Sequence, residues 1–175
     1  TNGIYWDNSV NFWRGNGTIM DGWPVYFDPD FASIFPPVVG DITGDNNPDV
    51  IVSNFDSKIY VWNKEGIRIN DWPRKTEEIV TSLAISDLDN NNKVELIGAS
   101  LHYIYVWELN ASYNPLTMHW PQFQHDAQHT GLYTKPYICG DADSSGVVDV
   151  SDIVFLINYI FNNGATPNPL LSGDA

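Results

Sequence analysis

The chain has 175 residues and a formal net charge of −14, from 22 Asp and Glu against 8 Lys and Arg. That balance lacks the basic footprint of a nucleic-acid or anionic-membrane partner, and no segment reaches the ~20 apolar residues of a membrane span. A hydrophobic fraction of 43% with 14% aromatics excludes a disordered chain, and the single Cys139 excludes an internal disulfide.

In chain order, a unit repeats. "VNFWRGNGTIMDGWP" (10–24) aligns with "KIYVWNKEGIRINDWP" (58–73), so that Trp13, Gly17 and Trp23 return as Trp62, Gly66 and Trp72, each 49 residues on. "VVGDITGDNNPDVIVSN" (38–54) returns as "AISDLDNNNKVELIGAS" (84–100), Asp87 following Asp41 by 46 residues. A third copy supplies "IYVW" at 104–107 and "HWP" at 119–121. A period of this size falls in the range of propeller blades. Short β-branched or aromatic runs at 50–52, 59–62, 95–97 and 104–107 are bounded by Gly, Asn, Asp and Pro, which predicts strands joined by tight turns. The expected fold is mainly β. Residues 1–136 would form a partial β-propeller: the tail of one four-stranded blade (about 1–30), a second blade (about 33–78) and a third (about 79–133). About two and a half blades cannot close a ring of typically 4–8, so the chain is expected to be a piece of something longer. Any signal segment is expected upstream of Thr1.

Two turns in this array concentrate oxygen. "DITGDNNPD" (41–49) places Asp41, Thr43, Asp45, Asn47 and Asp49 at alternate positions, and "DLDNNNKVE" (87–95) repeats the spacing. Alternate side chains of a compact turn point inward, and Ca²⁺ takes six to eight hard oxygen ligands. The alternative is an Asn/Asp-rich turn with no metal, since these residues favour turns by themselves. Both stretches resemble the FG-GAP repeats of integrin α-subunits and of many secreted bacterial proteins. The resemblance implies Ca²⁺ ligation by the side chains of Asp41, Thr43, Asp45 and Asp49 with the Asn47 carbonyl. In the second loop it implies Asp87, Asp89, Asn91, the Lys93 carbonyl and Glu95. "WPQFQHDAQHTGLY" (120–133) is similar to a segment common in bacterial propellers.

Other constellations are weaker. His125 and His129 stand four apart, but the surrounding Gly, Thr and Pro disfavour the helix that a zinc pair would need. The recurring tryptophans could line a sugar-binding face; their fixed place in each unit favours packing between units. An enzymatic or lectin-like propeller is the rival reading: a glycosidase, a polysaccharide lyase or a carbohydrate-binding propeller. Its acids would be sought among Asp28, Asp30, Asp56, Glu77 and Glu78, outside the proposed metal loops.

Residues 137–175 change character. From Asp141 the chain reads D-A-D-S-S-G-V-V-D-V-S-D, placing Asp141, Asp143, Ser145, Asp149 and Asp152 at the first, third, fifth, ninth and twelfth positions of an EF-hand loop. Gly146 takes the sixth place and the Val147 carbonyl the seventh. A helix is predicted from about Ser151 to Asn162, stopped by Asn163-Gly164, with Ile153, Leu156, Ile157 and Ile160 on one face. "GDA" at 140–142 returns at 173–175 after a Pro-bearing linker. This stretch resembles the first half of a type I dockerin, an EF-hand-like loop–helix module that attaches secreted enzymes to cohesin-bearing scaffolds. The resemblance implies Ca²⁺ as cofactor and a cohesin-type domain as partner, met through Val150, Ser151, Phe155 and Asn158. It also implies a secreted, extracellular or cell-surface bacterial protein, non-catalytic in this region, serving polysaccharide degradation.

Overall fold

The computed structural model describes residues 8–27, 35–133, 139–145 and 147–167. The chain forms two compact units, Thr1–Tyr133 and Thr134–Ala175. The first is mainly β, with three antiparallel sheets among its described residues. A two-stranded sheet pairs β1 (Ser9–Val10) with β2 (Val25–Tyr26). A four-stranded sheet runs β3 (Val38–Gly40), β4 (Asp49–Asn54), β5 (Lys58–Trp62) and β6 (Arg74–Lys75) in sequence order. A three-stranded sheet holds β7 (Ser82–Ser86), β8 (Lys93–Ala99) and β9 (Ile104–Ser112). The second unit contributes α1 (Val150–Asn162).

Period-2 alternation decides what each sheet buries, because successive side chains of a strand point to opposite faces. In the four-stranded sheet, Val50, Val52, Tyr60 and Trp62 form one face and pack with Trp23, Val25, Phe27, Val10 and Phe12 of the first repeat. Phe27 meets Tyr60 and Trp62 edge-on, at ring-centroid distances of 5.1 and 5.4 Å. Val38, Ile51, Ile59 and Val61 form the opposite face and pack on Leu83, Ile85, Val94 and Leu96 of the three-stranded sheet. Tyr105 and Trp107, stacked at 5.5 Å, join this second core from its edge. Each repeat thus lays its Tyr/Trp face on the Ile/Val face of the repeat before it.

Two turns lock the first contact. Gly22 and Gly66 both hold positive φ, at 83° and 73°. A Cβ on Gly22 would lie 1.8 Å from the Glu65 carbonyl oxygen, and one on Gly66 would lie 2.4 Å from that of Gly22. The Trp23 indole donates to the Lys64 carbonyl at 2.8 Å beside them.

The third copy departs from the expectation of a four-stranded unit: its sheet has three strands among the described residues. In the second copy the chain after Trp72-Pro73 returns as β6 and pairs with β5. After the third copy's β9, a 3-10 turn at Pro115–Thr117 directs the chain elsewhere. Trp120 exchanges both backbone hydrogen bonds with Val39, at 2.8 and 2.7 Å, and Ile85 N–H donates to the Pro121 carbonyl at 2.8 Å. This segment therefore caps the open edges of β3 and β7, supplying partners for backbone groups that an edge strand otherwise leaves unpaired.

Candidate metal centres

The loops at 41–49 and 87–95 fold alike because their first acids organise the backbone. Asp41 Oδ1 accepts from the N–H groups of Gly44 and Asp45, at 2.7 and 3.2 Å, and Oδ2 from that of Asn46 at 2.8 Å. Asp87 does the same for Asn91 and Asn92, both at 3.0 Å. The last acid closes each loop: Asp49 Oδ2 accepts from Ile42 N–H at 3.0 Å, and Glu95 Oε2 from Leu88 N–H at 2.6 Å. Asn46 and Asn92, at the sixth positions, take left-handed backbone with φ of 62° and 66°, a conformation Asn tolerates better than most residues.

The two loops differ in how far their acids converge. Asp87, Asp89 and Glu95 bring one carboxylate oxygen each within 4.8 Å of one another, an arrangement that could hold a metal ion. Asn91 is drawn away by its side-chain N–H groups, which donate to Asp89 and to Glu108. The Lys93 ammonium reaches Glu108 at 2.6 Å. In the first loop Asp45 turns outward to accept from Asn47 N–H at 2.8 Å, and no three-carboxylate group forms there among the described residues. Thr43 donates to Asp41 at 3.5 Å, and the Asn47 side chain is held by Lys64 at 2.6 Å.

That first loop has a different signature. Asp49 is fully buried, and its Oδ1 accepts no hydrogen bond. Burial pushes its carboxyl up to about 6, and the nearby charges of Asp45 and Asp41 push the same way. A buried carboxylate oxygen with no donor is costly unless something positive meets it. The residues fit a cation.

In the second unit Asp141, Asp143 and Asp152 gather likewise, one oxygen each within 4.8 Å. Asp141 and Asp152 are buried. Ser145 N–H donates to both Asp141 and Asp143, at 2.9 and 3.0 Å, and Asp143 N–H donates to Asp152 Oδ1 at 3.1 Å. The Ser145 hydroxyl donates to the Val147 carbonyl at 3.2 Å. Asp149 caps α1, accepting from Ser151 N–H at 2.7 Å, while Asp152 Oδ2 accepts from Asp149 N–H at 2.8 Å to complete a capping box. The Ser151 hydroxyl donates to Asp143, the main cause holding that carboxyl below its usual range. Gly146 lies outside the described residues, as does the second "GDA". Of the residues expected to meet a partner, Val150, Ser151 and Asn158 are exposed and Phe155 is half-buried.

Two of the rival acids are otherwise engaged. Asp56 accepts from Lys58 at 2.9 Å and from the Tyr60 hydroxyl at 2.6 Å. Glu78 accepts from the Ser100 hydroxyl at 2.8 Å and contacts His102 Nδ1 at 2.7 Å, a pair with no local sequence signal because its members stand 24 residues apart. Glu77 is exposed, and Asp28 and Asp30 lie outside the described residues. His125 and His129 both take positive φ, 75° and 54°, so they do not share a helical face. No family model, curated protein or solved structure matches the chain.

Proposed function

We propose that this chain combines calcium-stiffened blades of a β-propeller with the first half of a dockerin-type module. The module's task is to attach a secreted bacterial protein to a cohesin-bearing scaffold in polysaccharide degradation. The observation that carries this reading is the gathering of Asp141, Asp143 and Asp152 at the start of α1, whose apolar residues Ile153, Ile157 and Ile160 stand exposed. Ca²⁺ suits such a site because it takes carboxylate, hydroxyl and carbonyl oxygens in flexible geometry. Asp141, Asp143, Ser145, Asp152 and the Val147 carbonyl would hold it directly, and Asp149 would fix the helix start beside it. Asp87, Asp89 and Glu95 would hold a second ion, and Asp41 and Asp49 a third. Bound there, the ion neutralises converging carboxylates and ties the two ends of a loop together. Its role is structural, and the propeller reading draws its support from the order of the stacked sheets.

Calorimetric titration of the chelated chain with Ca²⁺ tests the cation. Heat that shrinks in Asp141→Ala and in Asp87→Ala, each by one class of sites, is the expected result. A chain that takes up no Ca²⁺ overturns the reading. Docking is tested by appending a second loop–helix repeat after Ala175 and measuring cohesin capture in Ca²⁺ and in chelator. Capture that survives chelation, or that Asp141→Ala leaves unchanged, overturns the attachment role.

A further inference from the structure

The four- and three-stranded sheets share a groove at the end away from the candidate metal loops. Register sets the ends. Gly40 pairs with Asp49 and Ser86 with Glu95 beside those loops, while Val38 pairs with Ile51 and Ser82 with Ala99 at the other end. There three clefts adjoin. The first, about 410 Å³, lies between Pro36, Pro37, Trp120 and Phe123. The second, about 310 Å³, shares Pro36 and Phe123 and adds Ser82 and His129. The third, about 450 Å³, shares Thr81 with the second and is walled by Phe35, Phe55, Glu78 and Leu101.

Aromatic rings recur along the groove: Trp120 and Phe123 in the first cleft, Phe35 and Phe55, tilted at 5.0 Å, in the third. Neutral polar groups accompany them: the hydroxyls of Ser57, Thr81 and Ser82, the Gln124 amide and the His129 imidazole. Such a lining, apolar rings with a few placed polar groups, is that of a ligand site. Among the described residues no Lys or Arg lines it, so an anionic ligand meets no counter-charge and is repelled by the chain's −14. Glu78, the one acid there, is committed to Ser100 and His102. An extended peptide commonly adds to an open strand edge, but the edges of β3 and β7 are already taken by Trp120 and Pro121. The groove therefore suits an uncharged ligand with apolar faces for the rings and hydroxyls for the polar groups. A pyranose has both, C–H bonds on its flat faces and hydroxyls at its rim.

We propose that this groove binds a neutral oligosaccharide chain, with sugar rings stacked on Phe123 and Trp120 at one end and on Phe55 and Phe35 at the other. Glycoside hydrolysis uses two carboxyls about 5–9.5 Å apart. The described lining supplies one, so binding and not cleavage is the activity it supports. The inference goes beyond cation binding and attachment, and it requires neither.

Calorimetric titration of the full chain with the hexasaccharides of β-1,4-linked glucose, xylose and mannose tests it. The expected result is that at least one of them binds, and binds more tightly than its disaccharide, because only the longer chain reaches all the clefts. Phe123→Ala and Phe55→Ala should each weaken binding about tenfold. These rings are 48% and 38% exposed, so truncation opens no core, and an unchanged circular dichroism spectrum confirms that each variant folds. Trp13, 58% exposed in the first repeat, lines none of the clefts, and Trp13→Ala should bind as the unaltered chain does. Affinity should be the same in Ca²⁺ and in chelator, so a failure of the cation reading leaves this one standing. No binding of any of the hexasaccharides at millimolar concentration overturns the proposal. So does binding that Trp13→Ala weakens as much as Phe123→Ala does. A polyproline peptide bound in preference to the sugars would assign the groove to protein and overturn it as well.

Discussion

Asp49 shows how one atom can couple a loop to pH. Its carboxyl is pushed up to about 6 in the folded chain, against an ordinary value near 3.8. The folded state therefore holds this proton where the unfolded chain has released it, and folding stability falls as pH rises from about 4 to about 6. A shift of about two pH units is worth roughly 3 kcal/mol by linkage. The loss is complete about one pH unit above 6, and beyond that the curve from this group is flat. A cation on Asp49 reverses the preference by stabilising the ionised form. Urea unfolding of the metal-free chain at pH 4.5 and pH 7 should thus show a decline that is absent in Asp49→Asn and suppressed by Ca²⁺. Equal pH dependence in the two proteins would mean that Asp49 ionises as an ordinary acid. Gly66 makes a second point at this scale. Alanine there meets both a left-handed backbone and the Gly22 carbonyl, so Gly66→Ala should cost roughly 1–3 kcal/mol and lower the melting temperature. A neutral substitution would show that the two turns can part without loss.

At the scale of elements, the loop and helix of the second unit share one residue. Asp152 belongs both to the carboxylate cluster and to the capping box of α1. Asp152→Asn keeps an oxygen that can accept from Asp149 N–H and removes the charge; Asp152→Ala removes both. Helical circular dichroism should survive in the Asn variant and fall in the Ala variant, a lost cap being worth about 1 kcal/mol. Ca²⁺ affinity should fall in both. Helicity retained equally in both would mean that the cap does not hold the helix. This helix was legible in the sequence because its signals are local, an apolar run and the Asn163-Gly164 stop, where Asn163 takes φ of 53°; the capping box of Asp149 and Asp152 was not. The strands β4, β5, β8 and β9 were legible from short β-branched or aromatic runs bounded by turn residues. The path of Trp120 was not. It repeats the Trp-Pro pair of Trp72, yet its place is set by backbone groups of Val39 and Ile85 that lie far away in sequence and need a partner. Asp45 escaped for a related reason, since alternation within a turn says which side chains can point inward and not which will prefer a nearby N–H group.

Across the whole molecule, charge and stacking work against each other. The sheets bury two apolar clusters back to back, while three loops, two between strands and one in the second unit, hold ten carboxylates: Asp41, Asp45, Asp49, Asp87, Asp89, Glu95, Asp141, Asp143, Asp149 and Asp152. Three divalent ions would bring the formal charge from −14 to −8. A ligand that binds only the folded chain stabilises it by mass action, about 2.7 kcal/mol per site at a hundred times its dissociation constant. Differential scanning calorimetry should therefore show a higher melting temperature in millimolar Ca²⁺ than in chelator. The two compact units make the shape of the transition informative as well. Asp141→Ala should remove the Ca²⁺ response of the unit that carries α1 and leave that of the sheets, where Asp49 and the Asp87 cluster remain. Asp87→Ala should shrink the response of the sheets, where Asp41 and Asp49 remain, and leave that of the unit that carries α1. If either substitution abolished the whole response, the ions would be acting through one centre, and the picture of independently stiffened loops would fail. If monovalent salt at matched ionic strength raised the melting temperature as far as Ca²⁺ does, screening of the −14 charge would account for the effect and no loop would need to bind an ion.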